Sequence, residues 1–379
     1  MSKTISNLKI TKMKKQLFLV MTALFAVGLT SAFGQLAPRP VTCLSPDALH
    51  PIAGSPYSYT VNVPTPPGTK TYTWLVTQDQ TFVTAGALVA TPETVGGSIL
   101  AAADAWYNTP TVAQATISLT WQSFAYNPAN PIFVVIFVSN AGATCTTQNM
   151  KVYKIEPQNS FTLDIANRDA SMATQPGYGT NIDRCISDIA SAIYDANAPE
   201  GILYDYGVDY LYYEVVAANW SDAWNLSVQL TGIDPLEHVT VEWTKDATYA
   251  AGLNVMTGSA VGTGGTPTVY TSTSNVTPNS GTFVGSTGES IYIRVTLDHS
   301  DMTNPSWQGL TDEVISLAVD GVTVPVTGTG VGDVHTTAGG TPSVCPWVDL
   351  FANDIAAQTL KARPDIQPVA PTPFLPVKP

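Results

Sequence analysis

From residue 56 onward, apolar and polar side chains alternate residue by residue over short runs, and clusters of Gly, Pro, Asn and Thr break the runs apart. Tyr57-Ser58-Tyr59-Thr60-Val61-Asn62-Val63 is one such run. Pro64-Thr65-Pro66-Pro67-Gly68 closes it, because proline has no N–H to donate to a strand ladder. Residues 72–76, 81–84 and 115–121 continue the texture, with a short helical turn expected over 98–106. Residues 132–138 (IFVVIFV) are apolar throughout, which predicts a strand covered on both faces. Residues 151–155 complete the unit. Strands at this spacing, with no long helix between them, predict an antiparallel sandwich.

The second half opens with Ile182, Ile186, Ile189, Ala190 and Ile193 at helical spacing, which predicts a short helix, although a strand leading into Cys185 fits as well. Further strands are expected over 210–217, 224–230, 239–243, 290–297 and 313–318. Asp320-Gly321, between two alternating runs, reads as the type I′ turn of a hairpin. Residues 250–284, rich in Gly, Thr and Ser, read as long loops or edge strands, and Gly328-Thr329-Gly330-Val331-Gly332 as a flexible loop. A second short helix is expected over 353–362. The pattern therefore predicts an all-β chain of two tandem antiparallel sandwiches over 42–157 and 179–363. A linker over 158–178 joins them, and a Pro-rich tail over 364–379 follows.

The first 34 residues carry an address. Lys3, Lys9, Lys12, Lys14 and Lys15 precede an apolar run over 17–33, and Ala32-Phe33-Gly34 places small residues where signal peptidase needs them, so cleavage is expected after Gly34. A start at Met13 would also give a complete signal. The run is shorter than the roughly 20 residues that span a bilayer. No cysteine follows the cleavage point, so no lipid anchor is expected, and no later stretch approaches spanning length. The expectation is an exported protein of the periplasm, the outer-membrane surface or the cell surface, with no transmembrane segment after signal removal.

Cleavage would leave 11 of the 16 Lys and Arg against all 29 Asp and Glu, a net charge of 11 − 29 = −18. Such a surface does not neutralise phosphates, which excludes nucleic acid as an expected partner. Hydrophobic content of 44% with 12% charged residues fits a folded protein. Cys43, Cys145, Cys185 and Cys345 suit disulfides in an oxidising envelope. Three connectivities are open. The economical one joins Cys43 to Cys145 and Cys185 to Cys345, each loop of roughly 100 residues contributing about 4–5 kcal/mol in the chain-entropy model. No CxxC pair or short His/Cys spacing supports a metal site instead.

Neither a Gly-x-Ser-x-Gly elbow, a Walker A loop nor a His-Glu-x-x-His helix occurs. The histidines, His50, His238, His299 and His335, fall in loops or before a strand and are expected to be exposed. Asp298, Asp301 and Asn304 group oxygen ligands in one loop where calcium could sit, but Leu310 occupies the twelfth position and a solvated turn is the favoured reading. No other cofactor is expected. Tyr204, Tyr206, Tyr210, Tyr212 and Trp220 form the richest aromatic stretch, with Tyr213 and Trp224 beside them. Alternation puts Tyr210 and Tyr212 on one face and Leu211, Tyr213 and Val215 on the other, so one set packs in the core and the other can meet a partner or a sugar. Trp74, Trp121 and Trp243 are expected in the cores.

The order Tyr72-Thr73-Trp74-Leu75-Val76, Ile117-Ser118-Leu119-Thr120-Trp121, an apolar strand, Ser139-Asn140-Ala141-Gly142 and Cys145 resembles the PKD-like and immunoglobulin-like sandwich modules of exported proteins in Gram-negative bacteria with type IX secretion. The resemblance covers 55–155, and Val239-Thr240-Val241-Glu242-Trp243 echoes it in the second half. The overall plan is similar to that of small accessory proteins of large gliding adhesins. The tail departs from a type IX sorting domain, which favours the periplasm or the outer membrane. The export signal, paired cysteines, strand texture, Pro-rich tail and lack of catalytic motifs lead to the expectation of a non-enzymatic envelope protein that serves as an interaction or assembly module. Its expected partners are an envelope or surface protein such as a large adhesin or an outer-membrane β-barrel, or a second copy of itself. The alternative is a carbohydrate-binding sandwich. A glycan hydrolase would need two carboxylates converging from separate strands, which spacing does not reveal.

Overall fold

The computed structural model describes residues 36–39, 41, 44–123, 127–142, 144–169, 178–197, 201–221, 223–258, 268–279, 283–300, 307–324, 330–335, 347–348, 351 and 353–366. The expected signal peptide, Cys43, Asp301, Asn304, Cys345 and most of the Pro-rich tail lie outside them. The architecture is all-β, and no helix forms among the described residues. None is therefore long and apolar enough to cross a membrane.

The first unit comprises β1 (Pro56–Thr60), β2 (Thr69–Thr77), β3 (Val83–Thr84), β4 (Ala87–Leu88), β5 (Leu100–Ala103), β6 (Thr111–Val112), β7 (Thr116–Trp121), β8 (Ile132–Ala141) and β9 (Thr146–Ile155). Sheet β1-β7-β5 packs on sheet β6-β2-β8-β9 over Tyr59, Trp74, Ile117, Trp121, Val134 and Ile136. The apolar run of β8 is covered twice, as its composition requires. Ile132, Val134, Ile136 and Val138 face this core, while Val135 joins Leu75 and Ala90 under Phe82 and Leu88 on the opposite face.

The second unit comprises β10 (Thr162–Arg168), β11 (Ile182–Cys185), β12 (Ser191–Tyr194), β13 (Ile202–Asp205), β14 (Val208–Ala218), β15 (Trp224–Thr231), β16 (His238–Thr244), β17 (Asn254–Thr257), β18 (Thr268–Ser272), β19 (Glu289–Asp298), β20 (Glu313–Thr323), β21 (Val334–His335), β22 (Trp347–Val348) and β23 (Ile355–Lys361). One layer runs β10-β14-β19-β16 and the other β18-β15-β20-β23-β11. Strand β17 joins them: Asn254 and Val255 pair with β16, whereas Met256 and Thr257 pair with β18. At the opposite side the layers meet through buried amides. Asn167 Nδ2 donates to the Ala357 carbonyl at 2.7 Å, and Gln358 Nε2 to that of Tyr212 at 2.8 Å. A single apolar cluster fills the space between the layers, with Trp220, Trp224 and Trp243 in it.

Four expectations are corrected. The stretch read as a linker contains β10, buried along its whole length. No helix forms at the isoleucines of helical spacing: Ile182 lies in β11, the strand leading into Cys185 that the sequence equally allowed, Ile193 lies in β12 and Ile186 and Ile189 lie between them, and Ile189 and Ile193 are exposed, so the spacing marks no buried face. Residues 353–362 contribute β23, which pairs with β20 antiparallel and β11 parallel and buries Ala356 and Leu360. Non-local pairing overrides the helix preference of this alanine-rich stretch. The turn expected over 98–106 holds strand β5, paired with β7, before the chain bends.

Asp320-Gly321 also makes no hairpin. Strand β20 runs straight through it, with Ser227 opposite Asp320 and Leu226 opposite Gly321. Glycine is needed here for close approach: a Cβ would lie 2.7 Å from Leu163 Cδ1 and 3.0 Å from Trp224 Cε3. Gly321→Ala should therefore cost about 1–3 kcal/mol through overpacking, measured by urea denaturation. An unchanged midpoint would mean that the Trp224 and Leu163 side chains yield freely.

Candidate functional site

Alternation along β14 turns Leu211, Tyr213, Val215 and Ala217 into the core and Tyr210, Tyr212, Glu214 and Val216 onto the outer face of its layer. Strand register then brings partners from other strands to those tyrosines. Arg294 of β19 lies opposite both Tyr212 of β14 and Glu242 of β16, and Arg168 of β10 lies opposite Tyr212 from the other side.

The result is a connected network of rings and guanidinium groups, exposed at Tyr210 and buried at Arg168 and Tyr249. Tyr210 and Tyr212 stack with centroids 6.3 Å apart, and Tyr212 meets Tyr249 at 5.0 Å, which meets Tyr292 at 6.2 Å. Arg294 lies 5.6 Å above Tyr210, Arg184 5.6 Å from Tyr212 and Arg168 4.8 Å from Tyr292. Arg294 Nη2 donates to Glu242 Oε2 at 2.6 Å, and Arg184 Nη2 to the Tyr210 carbonyl at 2.7 Å, so both cations are held in place. Burial pushes the Tyr212 and Tyr292 phenols up, which keeps them neutral hydrogen-bonding groups. Tyr210 is 44% exposed.

The other end of this face is covered by residues 36–39. Leu36 packs on Ala166 and Val216, and its N–H donates to Glu214 Oε1 at 3.1 Å. The Arg39 guanidinium pairs with Asp164 and also reaches Asp354 Oδ1 at 2.9 Å. Tyr178 lies under Arg39 with its centroid at 4.6 Å.

Of the aromatic residues singled out in the sequence, Tyr210 and Tyr212 are brought together at the surface. Tyr204 and Tyr206 form a separate stack at 5.5 Å, with Tyr206 buried beneath Arg363. Trp220 is core, fully buried, donating Nε1–H to the Ala217 carbonyl and packing edge-on to Trp224, so it meets no partner. Trp74, Trp121 and Trp243 are buried as expected. Cys145 and Cys185 are exposed free thiols; the partners expected for them lie outside the described residues. Asp298 Oδ1 accepts the Ser300 N–H at 2.9 Å, the local bond of an Asx turn, while Asp301 and Asn304 fall outside the described residues.

Two histidines expected at the surface are buried among acids. His299 is stacked on Trp307 at 3.7 Å, with Nε2 3.3 Å from Asp209 Oδ2 and Nδ1 3.4 Å from Glu237 Oε1. The Ser187 hydroxyl bonds the Asp209 carboxylate and the Tyr206 carbonyl, so it is not turned to the imidazole. Glu237 and Glu313 both accept the Asp234 N–H, at 3.0 and 2.9 Å, which brings the two carboxyls together. They form a joined pair, unlike the separated carboxyls that flank a glycosidic bond. The second buried histidine, His335, lies between Asp333 and Asp354. Burial alone would lower its pKa, but these two carboxylates outweigh it and raise it to about 10. None of these acid sets had a local sequence signal, because their members come from separate strands and loops.

In the first unit a groove of ≈ 720 Å³ opens between the residues after β1 and strand β9, floored by Ile136 and Val138 and walled by Val63, Pro64, Met150 and Tyr153. Strand β9 is an edge of its sheet, and Thr146–Lys151 are exposed.

No family model matches the chain, and no curated protein does. Among solved structures the chain is similar to one described as "Complete structure of manganese lipoxygenase of Gaeumannomyces graminis and partial structure of zonadhesin of Komagataella pastoris". Identity is 10% over 81% of this chain and 90% of that one, with a TM-score of 0.16. A superposition that loose carries no argument about either fold or activity.

Burial, then the adjoining Glu313 carboxylate, pushes Glu237 well above the ordinary carboxylate range, and burial raises Glu313 as well. The folded chain therefore holds more protons than the unfolded chain above about pH 4.5, until Glu313 ionises near pH 7 and Glu237 higher still. Stability should fall as pH rises through that window. Melting temperatures between pH 5 and 9 should decline for the wild type and decline less for Glu237→Gln, which keeps the neutral side-chain shape. Parallel curves would remove this pair as the cause.

Proposed function

We propose that this protein is a non-enzymatic, exported component of the cell envelope that acts as a protein-interaction or assembly module. The observation that carries the reading is the exposed end of the outer face of β10-β14-β19-β16, where Tyr210 and Tyr212 stack between two anchored arginines. Tyr and Arg dominate the energetics of protein interfaces, Tyr because it buries large area for little side-chain entropy and Arg because its planar guanidinium stacks on rings and hydrogen-bonds at once. Here the rings are already stacked and the guanidinium groups already tethered, which lowers the ordering cost of binding. An accessory role beside a surface adhesin, an outer-membrane barrel or a second copy of the chain fits this surface, as does the expected export signal.

Support for a non-catalytic reading comes from the acid clusters. Ser187 bonds a carboxylate instead of His299, and Glu237 and Glu313 share the Asp234 N–H instead of standing apart. The stacked tyrosines also favour a second reading, a carbohydrate platform, because sugars stack on such faces.

Photo-cross-linking in native cells from position 210, with position 150 in the first-unit groove as the comparison, tests the proposal. Position 210 should yield a discrete protein adduct. Tyr212→Ala or Arg294→Glu should weaken binding of the captured partner by at least tenfold while the melting temperature stays within about 2 °C. Adducts from position 150 alone would refute this face as the interface. Saturable binding of envelope polysaccharide that Tyr212→Ala abolishes, with no protein adduct, would establish the carbohydrate reading instead.

A further inference from the structure

The residue before β21, the last residue of β21 and the residue before β23 place three ligand-type atoms in one buried spot. Asp333 and Asp354 are each 1% exposed and His335 is 8% exposed. His335 Nε2 lies 2.5 Å from Asp354 Oδ2 and 3.3 Å from Asp333 Oδ2, and all three atoms lie within 4.8 Å of one another. Each carboxylate spends its other oxygen on a fixed protein donor. Asp333 Oδ1 accepts the Gly321 N–H at 3.1 Å, and Asp354 Oδ1 accepts Arg39 Nη2 at 2.9 Å. That division of labour, one oxygen oriented by the surroundings and one turned inward, is how metal-binding carboxylates are held.

A second observation separates this arrangement from an ordinary ion pair. Asp354 Oδ2 is buried and pairs with Nε2 by charge, yet no well-angled hydrogen bond reaches it. The two atoms are near without being aimed at each other, as donors are when they share a common point. Charge leads the same way. Among the described residues, Asp164 and Asp320 also adjoin the set, beside Arg39.

We propose that Asp333 Oδ2, His335 Nε2 and Asp354 Oδ2 form a binding site for a first-row divalent transition metal such as Zn²⁺. One imidazole with two carboxylates suits that class better than Ca²⁺, which takes oxygen ligands in larger number. Ligand atoms around such an ion sit about 3–3.5 Å apart, so the Nε2 to Asp354 contact opens slightly on loading. The ion would be structural. It would tie β21 to the start of β23 and, through Asp354 and Arg39, to residues 36–39 and β10.

The test uses the chain from residue 35 onward, stripped with a chelator and titrated with Zn²⁺. One equivalent should bind with micromolar or tighter affinity and raise the melting temperature by ~5 °C when Zn²⁺ is in large excess over the dissociation constant. Asp333→Asn and His335→Gln, each folded by circular dichroism, should bind at least tenfold more weakly. Failure of the wild type to take up stoichiometric Zn²⁺, or variants that bind like the wild type, would overturn the site. X-ray absorption of the zinc-loaded wild type decides the case even where the variants do not fold. A nitrogen and oxygen shell with one imidazole is expected, whereas a sulfur shell would assign the ion to the exposed Cys145 or Cys185 and refute the proposal.

Discussion

Buried negative charge sets the terms for the second sandwich. Asp164, Asp320, Asp333 and Asp354 lie along the seam where β10, β20, β21 and β23 meet. Each carboxylate removed from water costs several kcal/mol unless it is matched. Arg39 supplies much of the match by bridging Asp164 and Asp354, which ties the first described residues of the chain to strands more than a hundred positions away. The buried amides of Asn167 and Gln358 span the same seam. Closure of the sandwich on this side is therefore a polar problem, solved by specific pairings, whereas the side closed by β17 is solved by an unbroken backbone ladder.

The same logic explains how the outer face of the β14 layer is divided. At one end Asp164, Ala166, Glu214 and Val216 are buried because residues 36–39 lie across them. At the other, Tyr210 and Tyr212 continue the same strand face without such a cover among the described residues. Apolar and charged groups on one continuous face meet two fates, decided by how far the covering segment reaches. The proposed interface occupies the part it leaves open.

Much of this was legible from local pattern, and the limits were physical. A strand buried on both faces must be apolar throughout, so residues 132–138 announced β8 without ambiguity. The alternation at 210–217 placed Tyr210 and Tyr212 together correctly because side-chain direction in a strand depends on parity alone. What failed depended on partners distant in sequence. Residues 353–362 carry alanines that favour a helix in isolation, but the slot between β20 and β11 takes them as a strand. Asp320-Gly321 has the chemistry of a tight turn, yet Gly321 is small because Leu163 and Trp224 press on it.

The candidate site shows the same limit more sharply. Nothing within β14 specifies Arg294, Glu242 or Arg168. They arrive by register, and a slip of one residue in the β14–β19 pairing would turn Arg294 into the core and Ile293 out to solvent. That penalty keeps the register fixed, so the core residues Leu211, Tyr213, Ile293 and Val295 hold the surface chemistry in place. The two histidines are a harder case. His299 follows β19 and His335 ends the two-residue β21, so both read as exposed loop residues, and their burial follows from what other segments bring to them: Trp307 and Glu237 in one instance, Asp354 in the other. A loop histidine is neither buried nor exposed by its own sequence. The charge of its distant neighbours decides, and in this fold those neighbours are acidic at both places.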